Sequence, residues 1–333
     1  MIEEIIYHYY GIQVEREEPD NRFPSFISGN NLYTIIPLET LDEDELYERQ
    51  LMSEHLLLQG DRYVSAFVLA QHGSYVSEAE EQLFILLMNE IREAPRNQHL
   101  GRRMAKFHQR GRSINEPMKR CSRIGQWKTL WEHRIDQIEK LWSEKLHTHP
   151  SNEFERLFIE TFPYYMVLGE NAIQYLVDTE IDDEPGAVDS GTICYERFSA
   201  KTWGTEKCIK NPFDWLIDHG TRDVAEVTRE HYFQNVHTHQ RWLAQFFYDY
   251  QSVIPFSSFS ARLLYSRMLF PIHYFETVEA YFANNDESRS NELEDRMKQY
   301  IRGSQGYEQF LKNFYDLAQI PAKYLSLPAI DWI

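Results

Sequence analysis

The sequence predicts an α+β protein in which a small antiparallel sheet with one helix precedes a larger, mainly helical part. Five strand-like runs fall in the first ninety residues, and a polar segment at 89–98 separates them from mostly helical patterns. Hydrophobic residues make up 42% of the 333 residues, enough for a substantial buried core. We therefore predict a small lobe at 1–90, a linker at 91–98 and a helical lobe at 99–333.

The small lobe is predicted, in order, as helix, hairpin, helix and hairpin. Residues 2–10 form an amphipathic pattern that Gly11 ends, since glycine often follows a helix. The next helix has Thr40 or Asp42 as its cap and closes at Gly60. The predicted strands lie at 12–15, 23–28, 32–39, 63–71 and 82–89, with turns at 29–31 and 72–74.

The helical lobe begins with LGRRMAKFHQRGR, where Leu100, Met104 and Phe107 share one side. The aromatic-rich segment 239–281 is interpreted as helical core, because aromatic side chains bury large areas. The predicted helices lie at 100–112, 124–145, 151–177, 228–250, 257–283, 289–302 and 305–318.

Composition excludes several classes of function. The net charge of −18 argues against a nucleic-acid partner, which needs a basic face. Cys121, Cys194 and Cys208 are too widely spaced for a disulfide framework or a thiolate zinc site. The amino-terminal residues lack the basic region of a signal peptide, and no apolar run is long enough to cross a membrane. We expect an intracellular protein.

Other patterns that suggest chemistry have plainer explanations. No HExxH motif accompanies the histidines, so surface or interhelical positions are expected for His147, His149, His231, His237 and His239. Cys194 lies in an apolar run and is interpreted as a buried small side chain. The acidic run 178–189 is predicted as a solvated loop, with a calcium site or a site for a basic partner as the alternative.

Three segments resemble the aminoglycoside-phosphotransferase and choline-kinase-like group, which implies a two-lobed protein-kinase-like fold. They are LGRRMAKFHQRG, TICYERFSAKT and LIDHGTRDVAE, the last two within a catalytic-loop region at 191–226. The resemblance places Asp218 at the metal-binding aspartate and Asp223 at the structural anchor of the loop. It places Tyr195, Arg197 and Thr202 where the group has its histidine, catalytic aspartate and metal-binding asparagine.

Within that group the chain resembles the bacterial spore-coat-associated kinase-like proteins of the YutH and CotS type. The likeness lies in YYGI, LGRRMAKFHQRGR and NPFDWLIDHGTRDVAEVTR. It implies a protein made in the mother cell of an endospore-forming bacterium and incorporated in the spore coat, with other coat proteins as partners.

Most of the groups that handle phosphate are missing from the sequence. Phosphoryl transfer needs a lysine in the small lobe, but the first lysine of the chain is Lys106. No glycine-rich loop is visible, and Arg197 cannot accept a proton from a substrate hydroxyl. A non-catalytic, pseudokinase-like protein without a cofactor is therefore the leading hypothesis. The alternatives are a small-molecule phosphotransferase using Mg-ATP with atypical site residues, and a binding protein of an unrelated α+β fold.

Asp218 itself has two interpretations. A carboxylate at the end of a strand often binds backbone N–H groups of the next turn, and we favour this structural role over metal binding. A single carboxylate holds Mg²⁺ poorly without nucleotide phosphates. We also expect Arg197 to form an ion pair with Asp218 in the vacated site.

Overall fold

The computed structural model of the protein describes residues 2–18, 22–93, 99–114, 116–199, 202–203 and 208–328. Its strands are β1 (Arg16–Glu18), β2 (Ser25–Ser28), β3 (Asn31–Leu38), β4 (Ala66–Phe67), β5 (Val76–Ala79), β6 (Gln82–Glu90), β7 (Thr192–Tyr195) and β8 (Trp215–Asp218). Its helices are α1 (Ile2–Tyr10), α2 (Glu43–Leu58), α3 (Leu100–Gly111), α4 (Trp127–Leu146), α5 (Glu153–Asp182), α6 (Thr221–Gln234), α7 (His239–Gln251), α8 (Ser258–Leu269), α9 (Ile272–Phe282), α10 (Glu287–Lys312) and α11 (Phe314–Leu317).

Contacts between residues divide the chain into two compact units. The first unit consists of Met1–Ser122 and Gly191–Glu230, and the second of Arg123–Ser190 and His231–Ile333. The first unit therefore contains the small sheet together with α3 and the β7–β8 hairpin. The predicted lobe boundaries at 90 and 98 divide the chain by position along the sequence and not by contacts, so they stay a prediction. Residues 94–98 of the predicted linker lie outside the described residues.

The first unit is built around an antiparallel sheet with the order β1-β2-β3-β6-β4, in which β5 also pairs with β6. The run LFILLM in β6 is apolar throughout because both faces of this strand are covered. Successive side chains of a strand point to opposite faces. Accordingly, Phe84 and Leu86 pack with Ile6 of α1, whereas Ile85 packs with Leu46 of α2.

The sequence of elements in the small sheet is confirmed in outline, with differences at two strands. β1 lies at Arg16–Glu18 and not at 12–15. The predicted strand at 63–71 pairs with β6 over two residues only, and the hairpin partner of β6 is β5. Glu80 and Glu81 form this turn with φ of 52° and 65°. The sequence did not indicate this turn, because glutamates stand where a hairpin turn normally has glycine or asparagine.

The predicted helix ends of the first unit are confirmed. Gly11 follows α1 with φ of +67°. Asp42, and not Thr40, is the N-cap of α2, since its carboxylate accepts the N–H of Glu45 at 3.1 Å.

The helices of the second unit include several wrong boundaries. The predicted helix 228–250 is two helices, α6 and α7, separated at 235–238. The predicted helix 257–283 is interrupted at Pro271, which has no N–H for the helical hydrogen bond. The helices predicted at 289–302 and 305–318 are instead the continuous α10 followed by the short α11. Gly303 weakens a helix without breaking it.

The acidic run is also partly helical, contrary to the prediction of a solvated loop. α5 continues to Asp182. Asp189 is buried, and its carboxylate accepts the N–H of Gly186 at 2.8 Å and the hydroxyl of Ser257 at 2.6 Å.

Aromatic side chains fill the core of the second unit, as the segment 239–281 predicts. Trp131 of α4 stacks on Phe270 with ring centroids 4.5 Å apart. Phe246, Phe247, Tyr250 and Tyr274 are buried. Among the helices in the described ranges, none has both the length and the apolar character that crossing a membrane requires.

Replacing two of the glycines by alanine should change the free energy of unfolding in opposite directions. A Cβ at Gly111 of α3 would lie 2.7 Å from the backbone nitrogen of Ile193, whereas one at Gly303 of α10 would meet nothing within 4 Å. We expect Gly111→Ala to lower the free energy of unfolding by about 1–3 kcal/mol through overpacking. Gly303→Ala should raise it by about 0.5–1 kcal/mol. Urea unfolding of both variants would measure this, and equal effects would contradict the close contact of α3 with β7.

Candidate functional site

The candidate site is the hairpin of β7 and β8 with the segments that follow each strand. The strands pair antiparallel, with Thr192 opposite Asp218 and Tyr195 opposite Trp215. All eight residues of the two strands are buried. Asp218 therefore ends β8 inside the first unit, and α6 begins at Thr221 immediately beyond it.

Both carboxylate oxygens of Asp218 are bound within the protein. Asp218 is 1% exposed. Its Oδ1 accepts the N–H of His219 at 2.7 Å, and its Oδ2 accepts Nη1 of Arg222 at 3.0 Å. A guanidinium therefore bonds to this carboxylate, and it comes from Arg222, a residue that the sequence interpretation did not assign.

Arg222 connects three parts of the site. Besides its contact with Asp218, its Nε donates to the carbonyl of Tyr195 at 3.1 Å and its Nη2 to the carbonyl of Glu196 at 3.0 Å. The side chain is 13% exposed, so these bonds lie in a largely dry environment. Arg222 therefore ties the end of β8 to the segment that follows β7.

Asp223, the predicted anchor of the loop, lies one residue further along α6. Its carboxylate accepts the backbone N–H of Tyr195 at 3.1 and 3.2 Å. Oδ2 also lies 3.0 Å from Nε2 of His108 in α3. Burial lowers the pKa of His108, and the nearby Arg112 and Lys210 add to this effect. The imidazole is therefore neutral at neutral pH, and its Nε2–H donates to Asp223.

Of the three predicted vestigial positions, one is the last residue of β7 and the other two follow that strand. Tyr195 is buried, and its hydroxyl accepts Nε1–H of Trp203 at 2.7 Å. Burial raises the pKa of Tyr195 well above its ordinary value, so the hydroxyl stays neutral. Arg197 is exposed. The hydroxyl of Thr202 accepts the N–H of Ser199 at 2.8 Å within a turn.

Glu48 of α2 is a buried acid whose partners the sequence does not indicate. In protein kinases, a glutamate of the small-lobe helix pairs with the phosphate-binding lysine. Here the carboxylate accepts the backbone N–H groups of Lys119, Arg120 and Cys121 at 2.7 to 3.1 Å. Burial alone would raise the pKa of Glu48, but these N–H groups outweigh it and lower the pKa. The glutamate is thus satisfied without a lysine side chain.

The segment that leads into β8 packs on the small sheet. Phe213 contacts the cluster formed by Ile36, Ile85 and Leu87 on the α2 face of the sheet. Arg49 of α2 lies 5.3 Å from the Phe213 ring and donates to the carbonyls of residues 212 and 215. An aromatic ring of the chain itself therefore covers part of this face.

One group of potential metal ligands occurs among the described residues. His108, Cys194 and Asp223 place their ligand atoms within 4.8 Å of one another. His108 and Asp223 are directly hydrogen-bonded, and the thiol of Cys194 lies 3.6 Å from the carbonyls of Asp218 and His219. The group is therefore already linked by internal contacts. None of the five histidines considered from the sequence belongs to it.

Comparisons with known proteins show the family of the chain. The model of the family described as "Spore coat putative kinase YutH" matches residues 3–314. The endospore coat-associated protein YutH of Bacillus subtilis (strain 168) is 40% identical over 334 residues, covering 100% of this chain and 98% of that protein.

Solved structures show the fold. An aminoglycoside phosphotransferase from Alicyclobacillus acidocaldarius superposes with a TM-score of 0.67 at 14% identity, covering 93% of this chain and 94% of the other. A microcompartment-associated aminopropanol kinase gives 0.59 at 11% identity, covering 96% and 98%. The predicted two-lobed, kinase-like α+β fold is confirmed, and the hypothesis of an unrelated α+β fold is wrong.

The ion pair of Asp218 with Arg222 gives a test by double-mutant cycle. Removing one partner of a buried pair leaves an uncompensated charge, at a cost of about 3–5 kcal/mol. We therefore expect Asp218→Asn and Arg222→Gln each to destabilise strongly, and the double variant to cost less than the sum by about 1–3 kcal/mol. Denaturant unfolding gives the four free energies. Additivity within about 0.5 kcal/mol would contradict a direct coupling.

Buried His108 gives a dependence of stability on pH. Its pKa is lowered in the folded state, so the unfolded state binds the proton first as the pH falls below about 6.5. The stability linked to neutral His108 is full above that pH and is lost on acidification. Below pH 6.5, we expect the free energy of unfolding of the wild type to fall by up to about 1.4 kcal/mol more per pH unit than that of His108→Gln. Parallel profiles from denaturant unfolding would contradict the buried neutral imidazole.

Proposed function

The chain belongs to the spore coat putative kinase YutH family, and on this premise we propose that it is a non-catalytic, pseudokinase-like protein of the endospore coat. It is made in the mother cell and acts by binding other coat proteins during assembly. The observation that carries the proposal is the ion pair of Arg222 with Asp218, because it occupies the carboxylate that a metal would need.

The donor atoms of the site do not fit Mg²⁺ with a nucleotide. Mg²⁺ takes carboxylates and phosphate oxygens in octahedral geometry. Both oxygens of Asp218 already accept hydrogen bonds, one of them from a guanidinium, and the Thr202 hydroxyl accepts a backbone N–H. A divalent cation at Oδ2 of Asp218 would lie close to the Arg222 guanidinium, so we expect charge repulsion to oppose its binding.

The small lobe lacks the lysine that binds phosphate in kinases, and the glutamate that could pair with such a lysine has other partners. β3 has the sequence NLYTIIPL and offers no cation. Glu48, the buried acid of α2, is instead held by three backbone N–H groups. A carboxylate with these bonds has no need of a lysine partner, which supports a scaffold that folds without phosphate-handling groups.

Phe213 contributes to the internal packing next to the site. Its ring lies on the α2 face of the sheet, 6.0 Å from the ring of Phe67. Arg22 forms an ion pair with Asp214, the next residue. These contacts fix the segment before β8 against the sheet.

The coat assignment comes from the relative of Bacillus subtilis, whose name records endospore coat association. Identity of 40% over the full length makes a shared location the simplest inference. The net charge of −18 favours partners with basic surfaces.

Coat incorporation in sporulating Bacillus subtilis that lacks its own relative tests the proposal. We expect wild type, Arg197→Ala and Thr202→Ala to enter the coat fraction equally, because binding does not use the vestigial site. Arg197 is exposed, so Arg197→Ala should fold normally. Immunoblots of coat extracts would measure incorporation, with total protein in the mother cell as the control.

Two results would overturn the proposal. Absence of the wild-type chain from the coat would remove the proposed location. Loss of incorporation in both variants, at normal total protein and with a cooperative melting transition, would show that the site residues take part in function.

A further inference from the structure

A small pocket in the first unit is strongly cationic, although the protein as a whole is acidic. Its volume is about 290 Å³, and it lies between the loop at 60–63, helix α3 and Lys210. Of the described residues that line it, the acid is Asp61, and the cationic ones are Arg62, Arg92, Arg103, Lys106, Arg110 and Lys210. This local excess of cations is opposite in sign to the net charge of −18 of the whole chain.

Asp61 and Lys210 form the fixed base of the pocket. Asp61 is 2% exposed and Lys210 6% exposed, and Nζ of Lys210 lies 2.6 Å from Oδ2 of Asp61. The ammonium also lies 4.8 Å from the Phe107 ring and 4.6 Å from the Trp203 ring. Burial lowers the pKa of Lys210, and Asp61 opposes this.

The loop and the lysine are also joined through their backbones. The N–H of Lys210 donates to the carbonyl of Tyr63 at 2.9 Å, and the N–H of Ser65 donates to the carbonyl of Lys210 at 3.0 Å. This pairing sets the position of the lysine relative to the loop before any ligand arrives. Preorganised cations lose less entropy on binding.

The positive charge in the pocket exceeds what Asp61 can neutralise. Nη1 of Arg110 lies 3.1 Å from the same Oδ2 that binds Lys210, so one carboxylate serves two cations. Arg103 lies 5.1 Å from the Trp203 ring and 3.3 Å from the sulfur of Cys208. Within the described part of the chain, neither Arg103 nor Lys106 has a carboxylate partner.

We propose that this pocket binds a small phosphate-containing anion, either inorganic diphosphate or a compact phosphate monoester. Planar guanidinium groups match phosphate oxygens in bidentate geometry, and a lysine adds a point charge. The volume is at the lower end of the range for ligand pockets, which favours a compact anion over a nucleotide. The proposal does not depend on the non-catalytic assignment, since none of the vestigial residues lines the pocket.

Isothermal titration calorimetry on the full chain tests the proposal. The probes are inorganic diphosphate, orthophosphate and glycerol 1-phosphate, with citrate as an anion without phosphorus, all at one ionic strength. The variant is Lys106→Gln, and its matched control is Arg102→Gln, which removes an equal charge from an exposed position of α3 outside the pocket. Thermal melting of both variants checks that they are folded.

The expected result is saturable binding of one phosphate-containing probe per chain. Lys106→Gln should weaken it by about tenfold or more, with Arg102→Gln close to wild type. Tighter binding of diphosphate would identify the inorganic anion, and tighter binding of glycerol 1-phosphate would identify an ester. The proposal is overturned if no phosphate probe gives saturable heat, if citrate binds as tightly, or if both variants lose affinity equally.

Discussion

The buried ion pair between Arg222 and Asp218 is the interaction on which the arrangement of the site depends. Removing two charges from water is costly, and the cost is recovered only when the remaining donors and acceptors are also satisfied. Arg222 meets this condition by donating to the carbonyls of Tyr195 and Glu196 as well. The same contacts that neutralise Asp218 therefore hold the segment after β7 in place.

Neighbouring residues complete this internal network. Asp223 accepts the N–H of Tyr195 from the other side, and neutral His108 donates to Asp223. Glu48 is held by backbone N–H groups at 119–121. The carboxylates of Asp218 and Glu48 are thus bound by groups of the chain itself, and we propose that these bonds stand where an active kinase has a metal ion and a lysine. The kinase-like fold is retained while its polar groups are satisfied by the chain itself.

The sequence predicts the framework of the site better than its contacts. The LIDHGTRDVAE segment correctly indicates a strand that leads to Asp218, but the helix that carries Asp223 begins at Thr221 and not at the predicted residue 228. The ion pair of Asp218 with Arg222 joins the end of a strand to the first turn of the next helix, so the spacing rule for pairs within a helix does not predict it. The partners of Glu48 could not be predicted, because they are backbone groups 71 to 73 residues away.

Long-range pairing also explains why the cationic pocket is invisible in the sequence. Lys210 and Asp61 are 149 residues apart, and neither belongs to a recognisable motif. The wrong helix boundaries have local causes of another kind, as at Gly303, where a half-buried glycine leaves α10 intact. Sequence patterns thus predict helices and strands well where the hydrophobic periodicity is strong. They do not predict features that depend on a single contact between distant residues.

The most direct test of the central claim is the melting temperature of the wild-type protein with and without millimolar Mg-ATP. A ligand at about 100 times its Kd stabilises the folded state by about 2.7 kcal/mol, so specific binding must raise the melting temperature. If Arg222 occupies Asp218 permanently, Mg-ATP leaves the melting temperature unchanged. A rise that depends on concentration and disappears in Asp218→Asn would contradict the account and support a phosphotransferase.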